Sequence, residues 1–267
     1  APIGVFDSGI GGLSVLKEIK QCLPSESLLF IADSAYVPYG DKSPSFIKAR
    51  CRFMAKYLID RGAKALVLAC NTATAFSADE LRKLYPSVPI IGMEPGIRPA
   101  KRATRSGTIG VLATMGTLNS ARFYSLVDRF ATDITVITQP CPGLVEIIET
   151  GALFSPILRN KLETLVFPLL DRGCDTLILG CTHYPFLKPL LAQMIPDDIV
   201  IVDTGSAVAN QLKQQLLKYK LESFQKNPKT YLGSTSNNIQ FRKMVSMLWS
   251  KESSAYSLFV VDEYSPR

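Results

Sequence analysis

The 267-residue chain holds no apolar run long enough to cross a bilayer: ALVLAC at 65–70 is among the longest, against the roughly 20 residues a spanning helix needs. No membrane span and no membrane partner are therefore expected. Histidine occurs once, at His183, and the six cysteines form no C-x-x-C pair. Neither a zinc module nor a secreted disulfide framework is built that way, so reduced thiols and no bound metal are expected. The chain opens directly on PIGVFDSG, without a basic n-region, an apolar h-region or a small-residue cleavage site. Export is not expected, and a cytoplasmic location is. Charge of one sign is in mild excess only, 30 basic against 23 acidic residues for a net +7, and it is scattered. Nucleic acid is thus not the expected partner, although the balance favours arrival of a small dianion. The densest basic cluster, Arg98, Lys101, Arg102 and Arg105, has helical spacing and reads as one solvated helical face, with a polyanion patch as the alternative.

What is present is a globular composition, 47% apolar and 20% charged. Short aliphatic runs, IGVF (3–6), LLFIAD (28–33), ALVLA (65–69), PIIGM (89–93), TIGVLAT (108–114), ITVIT (134–138), TLILG (176–180) and IVIVD (199–203), alternate with amphipathic stretches of helical period. Runs that are continuously apolar rather than alternating mark parallel strands buried on both faces, hence an α/β fold. An internal repeat divides it. RGAKALVLACNTATAF (61–76) lies over RGCDTLILGCTHYPFL (172–187) at an offset of 111, and IGVFDSGIGG (3–12) over IGVLATMGTL (109–118) at an offset of 106. Two pairs in the same order point to two pseudo-symmetric, doubly wound domains with mainly parallel sheets. The expected division is 1–95 plus 208–267, carrying Cys70, and 96–207, carrying Cys181. MEPGIRP (93–99) is the natural crossing, and the segment after IVIVD, which exceeds the second repeat, can pack back on the first half.

The repeat puts Cys70 and Cys181 at equivalent positions, each just past a buried strand and before a helix. A helix N-terminus favours an anion, so thiols there are expected to have lowered pKa values and to serve as bases or nucleophiles. The other cysteines, Cys22, Cys51, Cys141 and Cys174, read as packing residues. Two thiols across a cleft can form a redox disulfide, hold a metal with His183, or act as paired bases on one substrate. Only the last uses the pseudo-symmetry. CNTAT adds the Asn71 amide and the Thr72 and Thr74 hydroxyls beside Cys70, suited to a carboxylate. CTHYP adds Thr182, His183 and Tyr184 beside Cys181, with His183 as a proton partner for the thiol. DSGIGG (7–12) is not a dinucleotide-binding G-x-G-x-x-G, because Ser14 stands in the last glycine's place. Asp7 ends a buried apolar strand, where a carboxylate is costly unless functional or strongly hydrogen-bonded. ADSAYVPYGDKS (32–43) follows another strand and can form a loop over the same edge.

In that order, DSGIGG, ADSAYVPYGDKS, LACNTAT, GVLAT, CPGLVEIIETG and GCTHYPF resemble the glutamate racemase family of cofactor-independent racemases, from residue 3 to at least Asp203. The resemblance implies two α/β domains with the active site in the cleft between them. It further implies that Cys70 and Cys181 are the acid/base pair, assisted by Asp7 and His183. Glutamate contacts would fall on Asp7, Ser8, Tyr39, Gly40, Asn71, Thr72, Thr114, Thr117, Thr182 and His183, with Glu149 near the substrate amine. Such an enzyme interconverts L- and D-glutamate without PLP or metal and supplies D-glutamate for peptidoglycan. The expected partner is the small-molecule substrate, and a homodimer is allowed. An aspartate racemase, a Cys/His/Asp metal enzyme and a nucleic-acid-binding role stand as rivals. Because no PLP or metal motif is present, chelated protein shown spectroscopically to carry no PLP should still racemise glutamate. Activity lost on stripping and restored by zinc or PLP would contradict the reading.

Overall fold

A computed structural model describes residues 1–237, 239–249 and 256–261. Positions 238, 250–255 and 262–267, all within the stretch 208–267 assigned above to the first domain, lie outside the described residues. The first half runs β1 (Ile3–Asp7), α1 (Leu13–Cys22), β2 (Leu28–Ala32), α2 (Pro44–Asp60), β3 (Ala65–Leu68), α3 (Asn71–Leu84) and β4 (Ile90–Gly92). The second continues with α4 (Ile97–Ala103), β5 (Thr108–Ala113), α5 (Met115–Leu118), α6 (Ala121–Phe130), β6 (Thr135–Pro140), α7 (Leu144–Glu149), α8 (Pro156–Asp171), β7 (Thr176–Leu179), α9 (Lys188–Leu191) and β8 (Val200–Val202). Beyond it come α10 (Gly205–Tyr219), β9 (Thr230–Ser234), α11 (Ile239–Leu248) and β10 (Tyr256–Val260).

These strands make two parallel sheets, ordered β10-β9-β2-β1-β3-β4 and β6-β5-β7-β8. The repeat is therefore spatial: β2-β1-β3-β4 and β6-β5-β7-β8 share one order, with the repeat-related β1 and β5 and β3 and β7 at the centre of each. The register repeats as well, since Gly4 faces Leu66 and Gly110 faces Leu177. A Cβ on either glycine would lie 2.8 or 2.9 Å from that leucine's Cδ2, so both positions lack a side chain for the same packing reason. A further equivalence is written in the caps. Ser43 before Pro44 and Ser155 before Pro156 accept from Phe46 N and Leu158 N at 3.3 and 3.2 Å, starting α2 and α8 alike.

Each sheet is covered on both faces. In the first, Val5 and Phe30 pack with Leu16, Leu212 and Met244 of α1, α10 and α11, whereas Phe6, Ile31 and Leu68 pack with Met54 and Leu81 of α2 and α3. In the second, Leu177 packs with Leu162 and Ile148 of α8 and α7, and Val111 with Ile97 and Phe123 of α4 and α6. The four-stranded sheet has exposed edges: Thr135 of β6 and Val200 of β8 meet solvent, against the expectation of uniformly buried strands. With four strands, half are edges. The stretch after β8 adds α10 against α1 and two strands, β9 beside β2 and β10 outside it, to the first sheet. The strand β10 was not foreseen, because its YSLFV run follows no recognisable helix-strand rhythm. The basic cluster does not form one helical face either. The helix α4 ends at Ala103; Lys101 pairs with Asp133, and Arg105, past the helix, pairs with Asp198.

The link from α10 to β9 is held by a buried ion pair. Lys64 Nζ lies 2.6 Å from Glu26 Oε2 and donates to Leu221 O, while Glu26 Oε1 accepts from Ser223 N at 2.8 Å. Removing one partner from such a pair typically costs about 3–5 kcal/mol, because the other charge stays buried. Lys64→Ala should thus shift the urea unfolding midpoint down, and Lys64→Met with Glu26→Leu should recover most of the loss. An unchanged midpoint for Lys64→Ala would show that the pair holds nothing.

Candidate active site

Strands that all run the same way deliver their carboxyl ends to one edge of each sheet, and the two edges face each other. Asp7 ends β1, Cys70 follows β3, Thr114 follows β5 and Cys181 follows β7. Of the residues expected beside the two thiols, Thr74 and Tyr184 lie away from this junction: the Thr74 hydroxyl donates to Leu68 O and accepts from Met93 N, and Tyr184 is wholly buried in the core of the second half.

Asp7 is wholly buried, and its carboxylate accepts from Ser8 N at 2.7 Å, Gly12 N at 2.6 Å and Thr182 Oγ1 at 3.1 Å. Two of those donors belong to its own turn; Thr182 reaches across from the other half. Cys70 is the N-cap of α3, its sulfur accepting from Ala73 N at 3.5 Å while its thiol donates to Ser8 Oγ at 3.8 Å. Asn71, 4% exposed, has no hydrogen-bond partner on either amide atom among the described residues. A buried amide beside a strand-end thiol offers both a donor and an acceptor to whatever enters the cleft. Thr72 Oγ1 lies 2.9 Å from Thr114 Oγ1 and 3.2 Å from Thr117 Oγ1, three hydroxyls contributed by both halves.

The loop from Asp33 closes over this edge, with Gly116 N donating to Gly40 O at 3.2 Å. The Tyr39 hydroxyl is already committed to Asp33, so Tyr39 and Gly40 offer backbone, not a free phenol. Asp33 is itself buried, held by Arg50 at 2.9 and 2.8 Å and by Thr235 at 2.9 Å. The residue reading missed this support, although its signal is the one that marked Asp7: a carboxylate closing an apolar strand.

On the opposite side, His183 Nδ1 lies 3.7 Å from Cys181 Sγ and His183 Nε2 lies 2.6 Å from Glu149 Oε1. The same Glu149 oxygen accepts from Ile10 N at 2.9 Å, so Glu149 is tied to both halves. Gly11 seats the ring: a Cβ there would lie 2.4 Å from His183 Nδ1.

The expected symmetry of the thiols fails in one respect. Cys70 caps a 14-residue helix, whereas Cys181 is followed by a turn and a 3-10 segment, Tyr184–Leu187. The expected lowering at Cys70 fails too. Burial pushes that thiol well above its usual value, reinforced by the nearby Asp7 charge, while the hydrogen bond from Ala73 works the other way. A helix terminus is worth at most about 2 kcal/mol, less than the several kcal/mol of burying a charge, so burial wins. Asp7 is raised by burial against the opposing effects of His183, Cys70 and Ser8. For His183 burial is outweighed: the hydrogen bonds to Cys181 and Glu149 and their charges lift it well above its ordinary value. The arrangement can hold one proton on each side of a cleft, on Cys70 next to Asp7 and on His183 next to Cys181.

The matching family model, described as Asp/Glu/hydantoin racemase, covers residues 3–212. The chain is 56% identical over 256 residues to the glutamate racemase of Ectopseudomonas mendocina (strain ymp), spanning 96% of this chain and 97% of the relative. Its fold matches that of glutamate racemase from Francisella tularensis in complex with D-glutamate, with a TM-score of 0.85 at 32% identity, covering 98% and 97% of the two chains. It likewise matches Escherichia coli glutamate racemase in complex with L-glutamate and the activator UDP-MurNAc-Ala, with a TM-score of 0.85 at 29% identity, covering 97% and 99%.

His183 is the single histidine, so its ring can be followed without ambiguity by NMR. It should stay protonated well above pH 6.5, its ordinary value. A raised folded value stabilises the protein fully below the unfolded value, and that contribution disappears as pH rises through the folded one. Glu149→Gln should move the titration down, since burial then meets less opposition. A wild-type midpoint at or below 6.5 would refute the assigned charge.

Proposed function

The chain belongs to the Asp/Glu/hydantoin racemase family, and we propose that this member interconverts L- and D-glutamate by a two-base exchange between Cys70 and Cys181. Racemisation of glutamate rests on relatives that match over nearly the full length and carry that name. The thiol mechanism rests on one observation: two cysteines at repeat-equivalent strand ends, one from each half, each with its own buried proton partner. The same reading divides the chain at 1–95 with 208–267 and at 96–207, supported by the separate sheets. It also assigns the product, D-glutamate, to peptidoglycan synthesis in the cytoplasm.

The α-proton of an amino acid is poorly acidic, so the site must stabilise charge as it develops on the α-carbon and carboxylate. Asn71, with its open amide, and the Thr72, Thr114 and Thr117 hydroxyls are donors already in place for that charge. Asn71, Thr72 and Thr117 are buried and Thr114 is half-buried, and the exclusion of solvent strengthens their contacts. Starting from L-glutamate, Cys181 takes the α-proton as thiolate, with His183 and Glu149 holding the charge behind it. Cys70, kept as a neutral thiol by burial, then donates to the opposite face and leaves D-glutamate. In reverse, Asp7 takes the Cys70 proton and readies that thiolate, while His183 returns a proton to Cys181 so that it can donate to the opposite face. Asp7 and His183 are thus the assisting groups, and Ser8, Tyr39, Gly40 and Thr182 complete the walls of the binding site.

General acid-base groups are typically worth about 10²- to 10⁴-fold in rate. Cys70→Ser and Cys181→Ser should each lose glutamate racemisation on that scale, followed by circular dichroism, with aspartate as the comparison substrate. Elimination from a β-chloro glutamate needs only one base. Cys70→Ser should therefore keep elimination from the L-configured analogue and Cys181→Ser from the D-configured one. A single variant racemising at near wild-type rate, or both eliminating from the same enantiomer, would defeat the opposed-thiol mechanism.

A further inference from the structure

Thr182 sits between the thiol and its histidine, and its carbonyl has a problem created by sequence. In the tight turn leading into Tyr184–Leu187, the carbonyl of residue 182 would be met by the N–H of residue 185. Residue 185 is proline and has no N–H. Thr182 is nevertheless 2% exposed, where an unmet carbonyl is costly. The donor comes from the other half of the molecule: Ser14 Oγ, in the first turn of α1, shares its single hydrogen between Thr182 O at 2.9 Å and Gly11 O at 2.8 Å.

We propose that Ser14 is a positioning residue for Cys181, acting through the Thr182 carbonyl. The bond completes a clamp. Thr182 is held at its hydroxyl by Asp7 and at its carbonyl by Ser14, while Gly11 seats the His183 ring, so the 181–183 segment is fixed by the β1–α1 turn on three sides. Cys70 needs none of this, being held within its own half by Ala73 N and Ser8. Ser14 therefore serves one thiol and not the other. It also accounts for the serine at the place where a dinucleotide-binding turn would carry glycine: here the position must supply a hydroxyl.

This inference rests on the opposed-thiol reading, in which Cys181 is the base for L-glutamate. Its test is elimination from the two β-chloro glutamates, in which a thiolate removes the α-proton, chloride leaves the β-carbon, and the enamine hydrolyses to 2-oxoglutarate and ammonium. Ser14→Ala should lower the L-analogue rate roughly tenfold while leaving the D-analogue rate near wild type, the scale expected for a displaced catalytic group. Ser14→Thr, which keeps the hydroxyl at a position bordering a cavity of about 230 Å³ lined also by Cys181 and Phe186, should restore the ratio. Overall racemisation cannot show the difference, because enantiomers share one equilibrium constant of unity and both directions fall together. An unchanged ratio in Ser14→Ala, or an equal fall in both rates, would overturn the assignment. Failure of the wild type to eliminate from either analogue would instead remove the thiol reading beneath it.

Discussion

A carboxylate with no solvent contact, Asp7, is the constraint on which the rest of the structure turns. Its position at the end of a central strand denies it water, so the chain must surround it with donors, and its own turn provides only part of the set. Thr182 of the other half supplies the remainder. The bond that completes this carboxylate joins those of Ile10 to Glu149 and Thr72 to Thr114 in holding the two sheet edges together, the junction at which Cys70 and Cys181 both lie.

The same junction explains why the two thiols differ although they come from a repeat. After β3 the chain enters a 14-residue helix at once; after β7 it turns through a proline-bearing 3-10 segment. Cys70 consequently has its hydrogen-bond partners within its own half. Cys181 is coupled to an imidazole and a carboxylate whose positions depend on the opposite half. One duplicated scaffold thus yields two strand-end thiols with different electrostatics: a buried carboxylate beside one and a histidine-carboxylate pair beside the other. Such divergence suits a reaction whose two faces are mirror images while the protein around them is not.

Much of this was legible in the chain. Continuous aliphatic runs place the strands, because parallel strands covered on both faces have no polar side to show. The repeat places Cys70 and Cys181, and the shared sheet order follows from it. Asp7 and Asp33 are marked by the cost of a carboxylate at the end of an apolar run, although only Asp7 was read that way. The serine-proline starts of α2 and α8 repeat openly at 43–44 and 155–156. Even the orphan carbonyl of Thr182 is written in the spacing of C-T-H-Y-P.

Tertiary structure alone decided the ionisation of Cys70, because the competition between a helix terminus and burial depends on how much water the other half excludes. It decided that Glu149 backs His183, since the two are 34 residues apart in sequence and meet only when α7 lies beside the β7 edge. It decided that Thr74 faces away from the cleft while Thr72 faces into it, a matter of helix phase that composition cannot set. It also decided which residues of one half complete the other. Local sequence carries the cost of burying each group, but the partner that meets that cost is chosen by packing between segments far apart in the chain.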